Sequence, residues 1–361
     1  MSCENTPKKI LVLRYRFIGD TILTVPFMRN LRRAEPDAYI AWVVAPGSSE
    51  VIQGIPYVDE LLFWDPVTIH ADSRGTHKTF GDKLGFIRKL RALRFDKVYV
   101  LKRSFGSALI GYLSGARKRI GFATEGRSFL LTTAVPYCYD QHEVQNFLDV
   151  LRADGVPVVD DHLESWVTTD EAATAAVILQ QSDFQNGELL VGIHPFASSK
   201  GKRWPLELYA ELSHQLAADG FRPLVLGAPN ERQEFADIAS KFSATTINAV
   251  GCCDLRVTLA LLKRCQLYVG NDSGIMHLAA SAGLPLVTIF GSTSPRLFGP
   301  WGKEATIVSA GFQCAPCRQK FFTECQPSER GYPPCLEAVT VEMVLSALRQ
   351  KYPARMKITT K

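Results

Sequence analysis

Apolar positions along this chain fall into two rhythms: short unbroken runs, and longer stretches in which they recur every three or four residues. "KKILVLRY", "YIAWVVAP", "VDELLFWD" and "DKVYVLK" follow the first rhythm and predict strands buried on both faces. "RFIGDTILTVPFMRNLRRAEP", helically spaced after Pro26, and "DKLGFIRKLRALRF" follow the second. Strands alternating with helices imply a parallel sheet covered on both sides. This alternation closes near the helical "HEVQNFLDVLRADG", after which "VPVVDDHLESW" reads as a linker.

A second alternation begins at "GELLVGIHPF". It continues through "PLELYAELSHQLAADG", "RPLVLGAP", "ERQEFADIASKF", "TTINAVG", "LRVTLALLKRC" and "QLYVGND" to "LPLVTIFGS". "AVTVEMVLSALRQKY" adds a final helix that could pack on either half. The expected fold is α/β, with two Rossmann-like domains of parallel sheet, residues 1–163 and 164–361, facing a central cleft. Ligands in such sheets bind beyond the carboxyl ends of the strands.

At 361 residues and 46% hydrophobic content, the chain is long enough for two such cores. No stretch reaches the roughly 18 consecutive apolar residues of a membrane-spanning helix, and "MSCENTPKK" lacks the apolar centre of a signal peptide. A soluble, cytoplasmic protein is expected. The net charge of +5 is unevenly spread: Lys83 to Arg127 holds twelve Lys or Arg against Asp96 and Glu125. That segment is either a set of solvated helix faces or a surface turned to something anionic. Nucleic acid is not expected, since no aromatic-interleaved basic motif accompanies the charge.

Neither half carries G-x-G-x-x-G after its first strand, and there is no G-x-x-x-x-G-K-[ST], which argues against a dinucleotide cofactor or a P-loop. Candidate chemistry sits instead where strands hand over to helices. In "YVGNDSGIMHLAA", Asp272 or Ser273 could cap the helix, or its first amides, with Gly274, could receive a phosphate. His277 lies one turn on, as a packed histidine or a ligand. In "HPFASSKGKRWP", small Ala197, Ser198 and Ser199 leave backbone amides open, and Lys200, Lys202 and Arg203 supply charge where a diphosphate could sit. Glu231 starts a helix after "PLVLG" and could accept ribose hydroxyls or complement the helix dipole. Asp20, in "RFIGDT", is an N-cap or a general base.

Nine cysteines include Cys3, Cys138, Cys252, Cys253 and Cys265, then a C-x2-C-x7-C-x9-C cluster of Cys314, Cys317, Cys325 and Cys335. The odd count argues against a disulfide framework. The cluster could hold a structural zinc, but its second pair is loosely spaced, which favours reduced thiols packing an irregular loop.

"LRYRFIGDTILTVPFMRNLRRAEPDAYIAWVV", "HPFASSKGKRWP" and "YVGNDSGIMHLAASAGLPLVTIFGSTSPRLFGPWG" resemble, in order, the signatures of the ADP-heptose:lipopolysaccharide heptosyltransferases, glycosyltransferase family 9. The resemblance runs from Ile10 to about Cys335. It implies a GT-B fold and an inverting transferase, with an inner-core lipopolysaccharide acceptor held by the first domain and ADP-heptose by the second. It also implies Asp20 as candidate base, Lys202 on the donor phosphates, and Asp272, Ser273 and Gly274 at the diphosphate and sugar, with His277 nearby. Glu231 corresponds to a family acid in a variable segment. With lysine and helix amides available for the leaving diphosphate, and no Asp-x-Asp motif at the site, no obligatory metal or cofactor is expected. The basic segment would then face an anionic glycolipid, making the protein cytoplasmic or peripheral to the inner membrane. The competing functions are a GT-B-like transferase or epimerase using another nucleotide sugar, and a catalytically silent nucleotide-sugar-binding protein.

Overall fold

A computed structural model describes residues 7–66, 75–185, 187–317 and 325–351. The chain divides into two compact units, Met1–Trp166 and Val167–Lys361. Cys3 lies outside the described residues.

In the first unit the strands are β1 (Lys9–Leu13), β2 (Tyr39–Val44), β3 (Glu60–Phe63), β4 (Lys97–Val100), β5 (Lys118–Phe122) and β6 (Thr133–Val135). They form one sheet in the order β3-β2-β1-β4-β5-β6, and every pairing is parallel. β1 runs through the centre with Ile10, Leu11, Val12 and Leu13 buried. That is why it reads as an uninterrupted apolar run. Each such side chain contributes roughly 1.5–3 kcal/mol by leaving water.

The second unit repeats the plan with β7 (Leu189–His194), β8 (Phe221–Gly227), β9 (Ile247–Val250), β10 (Leu267–Asn271), β11 (Leu286–Ile289) and β12 (Ala305–Val308). Their order is β12-β11-β10-β7-β8-β9, again with every pairing parallel. The final helix, Val341–Lys351, packs in this unit against β11, β12 and the helix Leu206–Ala218. Among the described residues no helix is long and apolar enough to cross a membrane.

The segment read as a linker is anchored in the first unit. Buried Arg29 donates to Asp160 (Nε, 2.7 Å) and to the His162 carbonyl (2.7 Å), and pairs with Glu164. Asn30 donates to the Asp160 carbonyl at 2.7 Å and accepts from the Val159 amide at 2.7 Å. A buried guanidinium needs such partners, so the acids of "VPVVDDHLESW" act as counter-charges.

In both sheets the chain works outward on one side, then crosses to the other. The direction changes between β1 and β4 in the first unit and between β7 and β10 in the second. Loops leaving these neighbouring strands splay apart and open a crevice at each switch point.

Candidate active site

In the second unit the loops after β7, β10 and β11 meet at the carboxyl edge of the sheet. Asn271, the last residue of β10, is fully buried. Its Oδ1 accepts from the Trp204 amide and the Tyr209 hydroxyl, both at 3.0 Å, and its Nδ2 donates to the Pro195 carbonyl at 2.8 Å. One side chain thus fixes both ends of the β7 loop relative to β10. Ser292, from the β11 loop, donates to the Gly201 carbonyl at 2.9 Å. Ser199 Oγ accepts from the Gly201 amide at 3.3 Å, shaping the 3-10 turn Lys200–Lys202, while Ser198 is exposed.

The result is a charged pair held by a rigid frame. Lys202 Nζ lies 2.7 Å from Asp272 Oδ2, which also accepts from Thr293 Oγ1 at 2.5 Å. The helix Gly274–Ser281 begins directly after, with Ser273 as its N-cap residue. Neither Asp272 nor Ser273 caps it: Ser273 makes no side-chain cap bond, and its Oγ lies 3.2 Å from His194 Nδ1. Burial, helped by Arg203, pushes the His194 imidazolium down to about 3, so the ring is neutral at ordinary pH. The amide end of this helix is therefore flanked by a lysine and by no capping oxygen of its own, which suits an anion. His277 is buried on the same helix.

Glu231 ends the 3-10 turn Pro229–Glu231 after β8, and its Oε2 accepts from the Ala228 amide at 2.7 Å. Burial raises its carboxyl above the ordinary value. It closes its own turn and is not joined by these bonds to the Lys202–Asp272 group.

Asp20 belongs to the first unit, in the opening turn of the helix Ile18–Leu23 that follows β1. It is not the N-cap; Phe17 holds that position without a side-chain cap bond. The Asp20 carboxylate pairs with buried Arg14, whose guanidinium also lies 5.5 Å from the Phe147 ring centroid. The Trp42 indole donates to the Arg14 carbonyl at 3.0 Å. Between Arg14 and Asp20 the backbone takes left-handed conformations at two non-glycine residues, Arg16 (φ 73°) and Phe17 (φ 62°). Side chains rarely adopt such angles, and two in succession beside a candidate base mark a turn held by its surroundings.

A second carboxyl lies within electrostatic reach of Asp20. Glu143 is buried at the start of the helix Glu143–Arg152 and accepts from the Tyr137 hydroxyl at 2.5 Å. Arg103, from the loop after β4, stacks 4.0 Å from the Tyr137 ring centroid. Burial lifts the Glu143 carboxyl, and the charge of Asp20 lifts it further against the pull of Arg14 and Arg103. Arg14, Arg103, Tyr137 and Glu143 do not stand out in the sequence: the aromatic lies in a loop, and Glu143 passes for routine dipole complementation in a first helical turn. Thr293 and Asn271 are similarly silent.

The eight described cysteines are free thiols. Burial pushes Cys335 up to about 11, with Cys317, Cys325 and Cys314 adding to it. Among the described residues no group of three or more His, Cys, Asp or Glu is arranged to hold a metal ion.

A model of glycosyltransferase family 9 (heptosyltransferase) matches residues 84–325. Lipopolysaccharide heptosyltransferase 2 of Salmonella typhimurium strain LT2 is 28% identical over 83% of this chain and 87% of its own. Among solved structures, the family 9 glycosyl transferase of Veillonella parvula DSM 2008 superposes with a TM-score of 0.84 at 22% identity, covering 95% of this chain and 97% of its own. The E. coli ADP-heptose lps heptosyltransferase II superposes with a TM-score of 0.74 at 24% identity, covering 95% and 98%. These likenesses identify the two-sheet architecture as GT-B.

Proposed function

We propose, from the premise that this chain belongs to glycosyltransferase family 9 and is a glycosyltransferase, that it moves heptose from ADP-heptose to an inner-core lipopolysaccharide acceptor with inversion at the anomeric carbon. The observation that carries this reading is the Lys202–Asp272–Thr293 group at the head of the helix Gly274–Ser281, on the switch point of the second sheet. The names of two relatives, a lipopolysaccharide heptosyltransferase and an ADP-heptose transferase, support the same donor and acceptor.

Asp20 accepts the proton of the acceptor hydroxyl as its oxygen bonds to the anomeric carbon. The bond from that carbon to the diphosphate breaks on the opposite face, and the leaving ADP carries the departing electron pair. Lys202 and the first amides of the helix Gly274–Ser281 stabilise that charge, so the step needs no divalent ion. Before the donor binds, Asp272 holds Lys202 in position, and the diphosphate then competes for the ammonium. Ser198, Ser199, Glu231 and His277 complete the donor side, and Arg14 positions Asp20. The enzyme works at the cytoplasmic face of the inner membrane, where its acceptor resides.

Mass spectrometry of an inner-core acceptor lipid incubated with ADP-heptose and the protein tests this. Gain of one heptose is expected; no addition to any inner-core acceptor leaves only a family 9 transferase of other specificity. A thermal-shift panel of ADP, UDP and GDP separates the donors, with ADP expected to stabilise most.

A further inference from the structure

The helix Phe105–Leu113 follows β4 and buries Ser107, Ala108, Ile110 and Gly111 in the first unit. Its other side carries Phe105, Leu109 and Tyr112, which are 43%, 37% and 51% exposed. Spaced at i, i+4 and i+7, they form one stripe. Phe129, 72% exposed, extends it, with its ring centroid 6.3 Å from that of Phe105. Isolated exposed apolar residues are ordinary; a contiguous stripe is an interaction surface.

The stripe is held in place by buried charge. Arg127 is fully buried and donates to the carbonyls of Phe122 (3.0 Å), Lys102 (2.6 Å) and Ser104 (2.7 Å). These bonds tie the 3-10 turn Ser128–Leu130, which carries Phe129, to the residues leading into the helix. Arg119 Nε donates to the Leu130 carbonyl at 2.8 Å, and its guanidinium lies 5.4 Å from the Tyr112 ring centroid. Glu125 accepts from the Phe105 amide at 2.9 Å. The two outermost rings, Phe105 and Phe129, are thus presented on a braced scaffold.

Cations border this surface. Arg117 and Lys118 are exposed just past the end of the helix, and Arg119 is half-buried beside Tyr112. The neighbouring helix Phe80–Leu93 exposes Lys83, Arg88, Lys89 and Arg91, followed by exposed Arg94. Aromatic side chains rimmed by Lys and Arg match the boundary between acyl chains and anionic headgroups. A second copy of this chain matches less well, because a two-fold contact through the same patch would set these cations against themselves.

We propose that Phe105, Leu109, Tyr112 and Phe129 form the face through which this chain inserts into the interfacial layer of an anionic bilayer, with Arg117 and Arg119 meeting the headgroups. Insertion, rather than charge alone, then holds the protein at the surface. This deepens the reading above by naming how the enzyme reaches a lipid-linked acceptor, and rests on it only for the acceptor's identity.

Co-sedimentation with vesicles of phosphatidylethanolamine containing about a quarter phosphatidylglycerol tests the face. The parent is expected to bind and to keep part of its binding at about 0.5 M salt, where screening removes the charge contribution. The Phe105→Ser/Phe129→Ser double variant is expected to lose at least about tenfold in partitioning and to retain only salt-sensitive binding. Its turnover on a delipidated, water-soluble core saccharide should equal the parent's, which shows that it is folded. As a second probe, Phe129→Trp should shift its emission to the blue on these vesicles. Equal partitioning of parent and double variant, or a parent that does not bind, overturns the proposal. So does a parent dimer that the double variant dissociates, or single-stranded RNA binding lost in the double variant with vesicle binding intact. A parent that binds vesicles normally but transfers no heptose sinks the proposed function and leaves this inference standing.

Discussion

The loops after β1 and β10 both flank the switch point of their sheet, β1 as the first strand and β10 as the fourth of two sheets of like order, and they are built in opposite ways. The β10 loop has a relaxed backbone: Asn271 locks its frame with three bonds, and Lys202 and Asp272 form an ion pair at the head of a helix. The β1 loop carries two bulky residues in left-handed conformations, one arginine on its carboxylate, and a second, buried carboxyl beside it. In the proposed reaction the β10 loop receives an anion on fixed dipoles, and the β1 loop holds the base under constraint. Binding a diphosphate requires only preorganised positive potential, whereas a base must present a lone pair to a hydroxyl in a defined direction.

If that contrast is right, the largest effect comes from the β1 side. Asp20→Asn should lower kcat by about 10²-fold or more while leaving ADP affinity within about twofold, since a positioned base contributes on that order. Calorimetric titration of ADP beside steady-state rates separates the two. Equal loss in rate and ADP affinity would erase the distinction between the sites. On the β10 side, Lys202→Ala should act on binding first, weakening ADP by about 10- to 10²-fold, the equivalent of one charge-assisted hydrogen bond of about 1.5–3 kcal/mol. It should lower kcat less than Asp20→Asn does, because Asp20 is untouched.

The two carboxyls of the first unit predict a pH effect on stability. Folding raises the Glu143 carboxyl above its ordinary value, chiefly through burial and then through Asp20. The folded state therefore binds more protons than the unfolded one as pH rises past the ordinary glutamate value. The contribution of Glu143 is full below that value and is lost as pH climbs through the raised one. Glu143→Gln should flatten this decline, so its melting temperature should change less than the parent's between about pH 4.5 and 8. A variant that tracks the parent at every pH would show that the buried carboxyl is not coupled to folding.

How much of this could be read beforehand follows from what each element looks like in isolation. β1, β2, β7, β10 and β11 are largely apolar runs because both faces are covered, and β8 becomes one after Arg222, so the sequence displays them. β5 opens with Lys118 and Arg119, β6 is three residues long, and β12 is an edge strand buried only at Val308, so none shows a usable pattern. Asp20, Lys202, Asp272 and Ser273 were visible because they sit at strand-to-helix junctions. The groups around them were not: Glu143 comes within electrostatic reach of Arg14 and Asp20 only when segments more than a hundred residues apart fold together, and Arg14 reaches Asp20 across a turn whose left-handed residues no local pattern announces. The apolar stripe on the helix Phe105–Leu113 was hidden by its cations, which invite a reading of charge alone.

The smallest effect expected is the most direct probe of the contrast in backbone strain. Phe17 holds φ at 62°, where glycine is at ease and phenylalanine is not. Phe17→Gly should relieve about 1 kcal/mol of strain and lose a similar amount through the more flexible unfolded chain and the missing ring. Its net change by chemical denaturation should therefore stay within about 1 kcal/mol of zero. Gly270→Ala, one residue before Asn271, is the counterpart on the relaxed side. The added Cβ would sit 2.4 Å from the Tyr268 hydroxyl and 2.9 Å from the His194 carbonyl, in a strand with no conformational strain to relieve. It should cost about 1–3 kcal/mol by overpacking. A Phe17→Gly loss larger than the Gly270→Ala loss would mean that the Phe17 ring stabilises the turn outright. The left-handed backbone would then be a by-product of its packing and not a constraint kept beside Asp20.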